Sequence, residues 1–236
     1  MKKIRYFTLV LLILFSRPLF AQEYIVLLHG LWRTSFSMHF LASYLERQGF
    51  NVVNIDYPST YYPIKKLTKL VAKQIKMLES VEKIHFVTHS MGGVVIRDYL
   101  ANNKLNNLGR VVMLSPPNQG CDIVNMLKYY LVFKFFTGPA GQQLGIEPSS
   151  FPNLLGPVEF ELGVITGNFS FDWFFSYMIP GEDDGLISVE RAKVEGMQDF
   201  LVVPHSHTFI MNSNKVREQI TYFLKHGQFD HSQNDS

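Results

Sequence analysis

A serine stands where the sequence changes from a strand-like to a helix-like pattern. Ser90 lies in the segment 88–93, after the alternating, β-branched run 83–87 and before apolar residues at helical spacing in 94–101. A serine at such a break, with small neighbours, has the form of a nucleophile elbow, in which the hydroxyl is held clear of its own backbone. The segment therefore suggests nucleophilic chemistry at Ser90, and the alternative is an ordinary Ser/Gly turn.

A serine nucleophile needs two further groups. Its hydroxyl is weak at neutral pH and requires a base within hydrogen-bond reach, itself oriented by a carboxylate. With an elbow of this kind the partners follow the serine in the order acid, then histidine. Asp184 and His207 occur in that order, each after a predicted strand, and Asp183 and His205 are the alternatives at the two positions.

The elements that must position these residues alternate between strand and helix. Apolar or alternating runs predict strands, and apolar residues three and four apart predict helices. The predicted strands are 24–28, 51–55, 83–87, 110–114, 160–165 and 200–203, and the predicted helices are 35–48, 63–80, 94–101 and 214–225. This alternation predicts a parallel sheet covered by helices on both faces. Ligands of such sheets bind beyond the carboxyl ends of the strands, where His29, Ser90 and Ser115 fall.

The alternation is interrupted between about residues 118 and 157. This stretch contains a long aromatic run, a glycine-rich segment and several prolines. Long insertions in compact domains are usually lids or binding loops, so we expect a helical cap over the catalytic face. The aromatic residues between 129 and 177 either line an apolar pocket or pin the cap to the core, and the two interpretations stay open.

The first 21 residues have the pattern of a secretory signal peptide. Basic residues at the start precede an apolar run at 6–15, which is too short to span a bilayer, and residues 19–21 form a cleavage site. The alternative is an uncleaved membrane anchor. We therefore expect an exported protein, periplasmic or secreted, in which residues 22–236 form a single domain.

Charge and cysteine content exclude several classes of partner. Removing residues 1–21 removes four positive charges and no acid, so the formal charge changes from +2 to −2. The basic balance thus belongs to the signal and does not indicate nucleic-acid binding. A single cysteine, Cys121, excludes an internal disulfide. No metal-ligand cluster or nucleotide-binding motif is found in the sequence, so we expect neither a metal nor a cofactor, and we expect a monomer.

Together these features resemble the α/β-hydrolase superfamily, in its bacterial esterase/lipase-like branch. The resemblance spans about residues 24–227 and is carried by segments 29–31, 87–93, 184–189 and 207–216. It implies the α/β-hydrolase fold, with a mostly parallel central sheet, helices on both faces and a helical cap insertion. One departure is Thr88, which replaces the first glycine of the family's G-x-S-x-G motif. We expect this bulkier residue to crowd the start of the following helix.

The resemblance also implies a role for each site residue. Ser90 is the nucleophile, His207 the general base and later acid, and Asp184 the group that orients His207. The backbone N–H groups of Leu31 and Met91 form the oxyanion hole. The matching segments favour Asp184 and His207 over their neighbouring alternatives.

The implied function is hydrolysis of carboxylic esters through an acyl-enzyme. The expected substrate is a small-molecule or lipid ester, with peripheral contact between the protein and a membrane. An acyltransferase, a thioesterase or an amidase would use the same triad, and a non-catalytic hydrolase-like binding protein would keep only the fold.

The remaining polar candidates are interpreted structurally. His89 is expected to pack beside the nucleophile, His85 to be a core histidine, and His29 to shape the loop after the first strand. Asp56 is expected to make a loop contact. Cys121 is expected to be a buried or idle thiol because no base is paired with it.

Overall fold

Six strands form one sheet in the computed structural model, which describes residues 23–78 and 80–234. The strands are β1 (Glu23–Leu28), β2 (Asn51–Ile55), β3 (Lys83–His89), β4 (Leu108–Leu114), β5 (Leu162–Gly167) and β6 (Asp199–Val203). Their order across the sheet is β2-β1-β3-β4-β5-β6, and every pairing is parallel. The predicted parallel sheet is thereby confirmed. The predicted signal peptide lies outside the described residues.

Helices cover both faces of this sheet. They are α1 (His39–Arg47), α2 (Ile64–Ile75), α3 (Met91–Asn102), α4 (Asp122–Leu127), α5 (Leu131–Gln142), α6 (Phe151–Leu154), α7 (Trp173–Met178), α8 (Val189–Ala192) and α9 (Asn214–His226). α1 and α9 pack on one face, whereas α2 and α3 pack on the other. The fold is therefore the predicted α/β arrangement.

Alternate residues of β1 show why the sheet needs cover on both faces. Ile25 and Leu27 lie in the core beneath α1 and α9, and Val26 and Leu28 lie in the core beneath α2 and α3. All four side chains are inaccessible to solvent. A continuous apolar run is what a central parallel strand requires, because its side chains alternate between two buried faces.

Helix boundaries follow local signals that were partly visible in the sequence. The predicted helix 35–48 begins with a 3₁₀ turn, Ser35–Met38, before α1. At the other end of the chain, Ser213 caps α9 by accepting a hydrogen bond from the N–H of Val216. Gly227 ends that helix with φ of 77°, a conformation that glycine adopts without steric cost.

The insertion, residues 118–157, carries α4, α5 and α6 and is attached at both ends to one buried side chain. Arg97 of α3 donates from Nη1 to the carbonyl of Asn118 at 2.9 Å and from Nη2 to the carbonyl of Gly156 at 2.6 Å. Burial lowers the pKa of Arg97 to about 10. The guanidinium thus anchors both ends of the insertion, at Asn118 and Gly156, to the helix that follows Ser90.

Candidate active site

Ser90 occupies a strained turn between β3 and α3. Its backbone has φ of 53° and ψ of −126°, a region that residues other than glycine rarely adopt and that costs about 1–3 kcal/mol. The Ser90 N–H donates to the carbonyl of Leu114 at 2.8 Å, and its own carbonyl accepts from the N–H of Gly93 at 2.9 Å. These bonds hold the turn against its strain and present the hydroxyl at the carboxyl edge of the sheet.

The turn is possible only because glycines surround it. A Cβ on Gly92 would lie 2.7 Å from the carbonyl oxygen of Leu28 and 2.8 Å from that of His29. A Cβ on Gly30 would lie 2.9 Å from Cβ of Ser90. The start of α3 and the loop after β1 therefore approach to backbone contact, as a nucleophile elbow requires.

Thr88 is accommodated by a glycine on the facing helix. Its side chain is buried, and a Cβ added to Gly93 would lie 3.4 Å from its Oγ1. Because Gly93 has no side chain, the expected crowding at the start of α3 does not displace Ser90. Thr88 Oγ1 has no hydrogen-bond partner among the described residues, so threonine fills space here without a polar contact of its own.

The structure brings Ser90, His207 and Asp184 into one hydrogen-bonded chain. His207 Nε2 lies 3.0 Å from Ser90 Oγ, and His207 Nδ1 lies 2.9 Å from Asp184 Oδ2. All three side chains are buried. Since a carboxylate only accepts hydrogen bonds, Nδ1 carries the proton and Nε2 is left to accept from the serine hydroxyl. This is the protonation state that a general base needs.

Asp184 is fixed in position by its own loop. Its Oδ1 accepts from the N–H of Leu186 at 3.1 Å and from the N–H of Ile187 at 2.8 Å. Its backbone carbonyl accepts from the N–H of His207 at 2.9 Å. The carboxylate therefore directs one oxygen to its loop and the other to the imidazole.

The neighbouring alternatives lie outside this chain. Asp183 accepts from Ser176 Oγ at 2.6 Å and from the N–H of Gly185 at 2.7 Å, so it ties α7 to the acid loop. His205 is partly buried and does not line the cavity that contains Ser90. The geometry thus favours Asp184 and His207, as the sequence resemblance does.

The two backbone groups expected to form an oxyanion hole have no competing partner. Neither the N–H of Leu31 nor that of Met91 donates a hydrogen bond within the described part of the chain. Met91 begins α3, and the first N–H groups of a helix lack an intrahelical acceptor. Both groups are therefore available to a ligand oxygen at Ser90.

His29 shapes the loop that carries Leu31. Its Nδ1 donates to the carbonyl of Gly30 at 2.9 Å, and its backbone carbonyl accepts from the hydroxyl of Tyr57 at 2.5 Å. The Tyr57 ring stacks on the imidazole with centroids 4.2 Å apart. Burial lowers the pKa of His29, so the ring is neutral and structural, as expected.

His89 supports the catalytic histidine candidate rather than the serine. Its Nε2–H donates to the carbonyl of His207 at 2.9 Å, and the two rings lie 4.9 Å apart. Burial, reinforced by the nearby charge of His207, lowers the pKa of His89 well below its usual value. The sequence placed His89 beside the elbow, but its hydrogen bond to the His207 backbone joins segments 118 residues apart and had no local signal.

The other residues interpreted structurally also lie as expected. His85 is buried and its Nδ1 accepts from the N–H of Arg110 at 2.9 Å. Asp56 accepts from the N–H of Ser35 at 2.8 Å, which is a loop contact. Cys121 is buried, and burial raises its pKa to about 12, so its thiol is unreactive at neutral pH.

An apolar cavity of about 850 Å³ opens above Ser90. The insertion supplies most of its wall, and the acid loop, α7 and the loop after β1 supply the rest. The apolar lining includes Leu31, Trp32, Ile123, Val124, Leu127, Tyr130, Phe133, Phe136, Leu144, Phe175 and Leu186. Ser90, His89 and His207 line the same space, as do Arg33 and Thr208, which the sequence did not single out. The cavity has the size and polarity of a site for an apolar small molecule.

The loop after β1 is tied to the insertion across this cavity. Trp32 has φ of 59°, and its indole Nε1–H donates to the carbonyl of Phe136 in α5. Within the same helix, Gly138 has φ of 61° and ψ of −173°, so the chain bends there before Pro139. The first part of α5 is thus held over the cavity by a residue adjacent to Leu31.

A sequence model of the Alpha/beta hydrolase family matches residues 25–206. The chain belongs to the alpha/beta hydrolase family. No curated protein sequence matches the chain. Solved structures agree with the α/β-hydrolase fold. The mature form of Bacillus licheniformis lipase BlEst2 is similar with a TM-score of 0.69 and 20% identity, over 89% of this chain and 94% of that one.

Two further solved structures share the fold at similar identity. The metagenomic carboxyl esterase MGS0156 has a TM-score of 0.67 and 15% identity, over 81% of this chain and 66% of that one. The phospholipase PlaB from Legionella pneumophila has a TM-score of 0.60 and 17% identity, over 72% of this chain and 45% of that one. At these identities the likeness concerns the fold, and this α/β-hydrolase spans less than half of the Legionella enzyme.

Some aromatic residues of this α/β-hydrolase line the cavity, as one of the two interpretations above expects, and others follow neither interpretation. Tyr130, Phe133, Phe136 and Phe175 line the cavity over Ser90. Many others are exposed rather than packed against the core, namely Tyr129, Phe135, Phe169, Phe171, Trp173, Phe174 and Tyr177. We call this exposed set the aromatic rim. Its members lie in or next to α5 and α7, and other residues of these two helices line the cavity.

Within residues 23–78 and 80–234, no helix is both long and apolar enough to cross a membrane. Nor do the same ranges contain a group of three or more histidine, cysteine or acidic side chains that could hold a metal ion.

Proposed function

We propose that this α/β-hydrolase cleaves carboxylic esters with Ser90, His207 and Asp184 as its catalytic triad. The observation that carries the proposal is the hydrogen-bond chain of 2.9 and 3.0 Å that links the three side chains at the base of an apolar cavity. The chain order, the strained serine and the tautomer fixed by the carboxylate all fit acyl transfer to a serine.

In the first half of the reaction an acyl-enzyme forms. Ser90 Oγ attacks the ester carbonyl carbon while its proton passes to His207 Nε2. The carbonyl oxygen of the tetrahedral intermediate becomes an oxyanion, which the N–H groups of Leu31 and Met91 stabilise, and Asp184 stabilises the imidazolium. The intermediate then collapses, the bond to the alcohol oxygen breaks, and Nε2 gives its proton to the departing alcohol.

In the second half, water releases the acid. His207 Nε2 takes a proton from water, whose oxygen attacks the acyl carbonyl carbon. The second tetrahedral intermediate breaks its bond to Ser90 Oγ, and Nε2 returns the proton to the serine. The products are a carboxylic acid and an alcohol, and the enzyme is regenerated.

The cavity favours substrates with an apolar acyl group, such as lipid esters. Burying one CH₂ group in such a site stabilises binding by about 0.8 kcal/mol, which predicts an increase of about four-fold in kcat/KM per CH₂ until the cavity is filled. The neighbours named as lipase, phospholipase and esterase support the same choice.

Export and membrane contact belong to the same proposal. We assign residues 1–21 as a signal peptide. We assign the exposed aromatic rim as a surface for peripheral contact with lipid. The enzyme is proposed to act as a monomer. Fractionation followed by N-terminal sequencing tests export, and a sequence that begins at Met1 would contradict cleavage. Sedimentation with phosphatidylglycerol vesicles tests the contact, and protein that stays in the supernatant would contradict it.

The decisive experiment compares Ser90→Ala with a matched serine variant. Ser90→Ala is expected to abolish hydrolysis of p-nitrophenyl esters and labelling by a fluorophosphonate, with an unchanged circular dichroism spectrum. Ser115→Ala is the control, because Ser115 is also buried, also has positive φ (46°) and also follows a strand of the sheet. Turnover in Ser90→Ala, or wild-type protein that the fluorophosphonate leaves unlabelled, would overturn the assignment and favour a non-catalytic binding protein.

A further inference from the structure

Arg33 is a cation without a partner in the wall of the cavity. It lies two residues after Leu31 and lines the same space as Ser90 and His207. Its side chain is partly buried and makes no hydrogen bond or ion pair with any other described residue; only its backbone N–H is engaged, by the carbonyl of Gly30 at 3.3 Å. A guanidinium has five N–H donors in a planar fork, so this group can bind an anion through two parallel hydrogen bonds.

Most of the other arginines in the described part of the chain have a side-chain partner. Arg97 and Arg110 donate to backbone carbonyls, and Arg110 and Arg191 form ion pairs with carboxylates. Arg217 donates to the carbonyl of Met211. Arg47 is also unpaired in the described structure, but it is exposed in the last turn of α1 and does not line the cavity.

The cavity offers this cation no compensating charge. No aspartate or glutamate is among the described residues that line it. The nearest catalytic carboxylate, Asp184, is buried behind His207 and is engaged by the imidazole and two backbone N–H groups. Burial lowers the pKa of His89, and the positive charge of Arg33 adds a smaller contribution in the same direction. A partly desolvated cation of this kind is stabilised when an anion binds beside it.

The position of Arg33 determines where that anion would be. In the proposed reaction the N–H of Leu31 binds the ester carbonyl oxygen, so a residue two positions further on reaches only groups within a few bonds of the ester. The walls that the insertion supplies are apolar, so burial there stabilises an alkyl acyl chain and does not stabilise an anionic group. The anion therefore belongs to the alcohol part of the substrate.

We propose that Arg33 selects esters whose alcohol part carries an anionic group, phosphate or carboxylate, close to the scissile bond. The inference rests on the proposed ester hydrolysis and names its substrate class. The bond broken and the proton transfers are those given above; the alcohol leaves with its anionic group attached, and Arg33 binds that group without touching the reacting atoms. Arg33 is thus a specificity-determining residue.

The test compares three esters with the same acyl chain. 1-Octanoylglycerol is neutral, 1-octanoylglycerol 3-phosphate carries a phosphate, and 3-octanoylglycerate carries a carboxylate. The readout is the ratio of kcat/KM for each anionic ester to kcat/KM for the neutral ester, from released octanoate. Wild-type protein is expected to give a ratio above one, and the larger of the two ratios identifies the anion.

Substitution of Arg33 is expected to lower that ratio. A charge-assisted, bidentate contact predicts a fall of about 10- to 100-fold in Arg33→Gln. Arg33→Lys keeps the charge but loses the fork and is expected to give an intermediate ratio. Arg47→Gln removes the same charge from the surface and is expected to keep the wild-type ratio. A ratio that stays constant in Arg33→Gln, or that falls equally in Arg47→Gln, would overturn the proposal.

A binding measurement separates this inference from the proposed function. In Ser90→Ala protein, 1-octanoylglycerol 3-phosphate is titrated while the fluorescence of Trp32, which lines the cavity, is followed. The double variant Ser90→Ala/Arg33→Gln is expected to bind 1-octanoylglycerol 3-phosphate more weakly, by the same factor of about 10–100. Equal binding by both proteins would overturn the role of Arg33 even if esters are hydrolysed. Absence of hydrolysis by wild-type protein, with the difference in binding intact, would overturn the proposed function alone.

Discussion

In the proposed mechanism, replacing Asp184 with asparagine isolates the step in which His207 accepts the proton of Ser90. The asparagine oxygen can keep the hydrogen bonds from Leu186 and Ile187, now 3.1 and 2.8 Å. Its amide then faces His207 Nδ1, and an amide N–H only donates. The imidazole must therefore move its proton to Nε2, which lies 3.0 Å from Ser90 Oγ and can no longer accept from it.

The expected loss follows from that tautomer change. The corresponding substitution in a Ser-His-Asp protease lowers kcat by about 10⁴-fold, which equals about 5.5 kcal/mol of transition-state stabilisation. Since the loop hydrogen bonds survive, the free energy of unfolding is expected to change by no more than about 1 kcal/mol. kcat on p-nitrophenyl butyrate and urea denaturation measure the two quantities on the same preparation.

Asp183→Asn is the matched control, one residue away. Asp183 is also buried, and it accepts from Ser176 Oγ and the N–H of Gly185, but it makes no hydrogen bond to His207. The amide can keep one bond and donate to the serine hydroxyl in the other, so kcat is expected to stay within about three-fold of the wild type. Equal losses in the two variants, or more than a tenth of wild-type kcat in Asp184→Asn, would refute the reasoning.

Three further predictions concern the surroundings of the site. Gly92→Ala brings a Cβ to 2.7 Å from the carbonyl oxygen of Leu28, so we expect a loss of about 1–3 kcal/mol or more in urea denaturation; unchanged stability would show that the elbow can widen. Cys121, with a pKa of about 12, should resist iodoacetamide in the folded protein and react after unfolding, and rapid modification of the folded protein would contradict its burial. His89 has a lowered pKa and stays neutral when folded, whereas the unfolded chain binds a proton there below about pH 6.5. Stability should therefore fall as pH falls below that value, by up to about 1.36 kcal/mol per pH unit from this group, and a His89→Gln variant with an equally steep profile would contradict this.

The sheet was predictable from the sequence because parallel strands are buried on both faces. Such strands are continuous apolar runs, so β1, β2 and β3 could be placed to within two residues. The Ser90 turn was also visible, since a serine between a strand and a helix pattern has a local signature. The order of Asp184 and His207 after it added a constraint that the turn alone does not provide.

What the sequence could not provide depends on contacts between distant segments. The bond from Trp32 to Phe136 and the bond from His89 to His207 join residues more than 100 positions apart. The sequence also could not show that the Arg33 side chain lacks a partner, because side-chain partners are set only when the chain folds. Likewise, Thr88 looked too large for its position until the structure placed Gly93 opposite it.

The anchoring of the insertion by Arg97 has a consequence for how such enzymes diversify. One guanidinium binds the carbonyls of Asn118 and Gly156, so the segment leaves and rejoins the domain at adjacent points. Because the ends of the segment are fixed next to each other, each doubling of its length costs only about 0.6 kcal/mol of loop-closure free energy. A graft between these two anchors is therefore expected to replace most of the cavity wall while the hydrogen bonds of the Ser90 turn, to Leu114 and Gly93, stay in place.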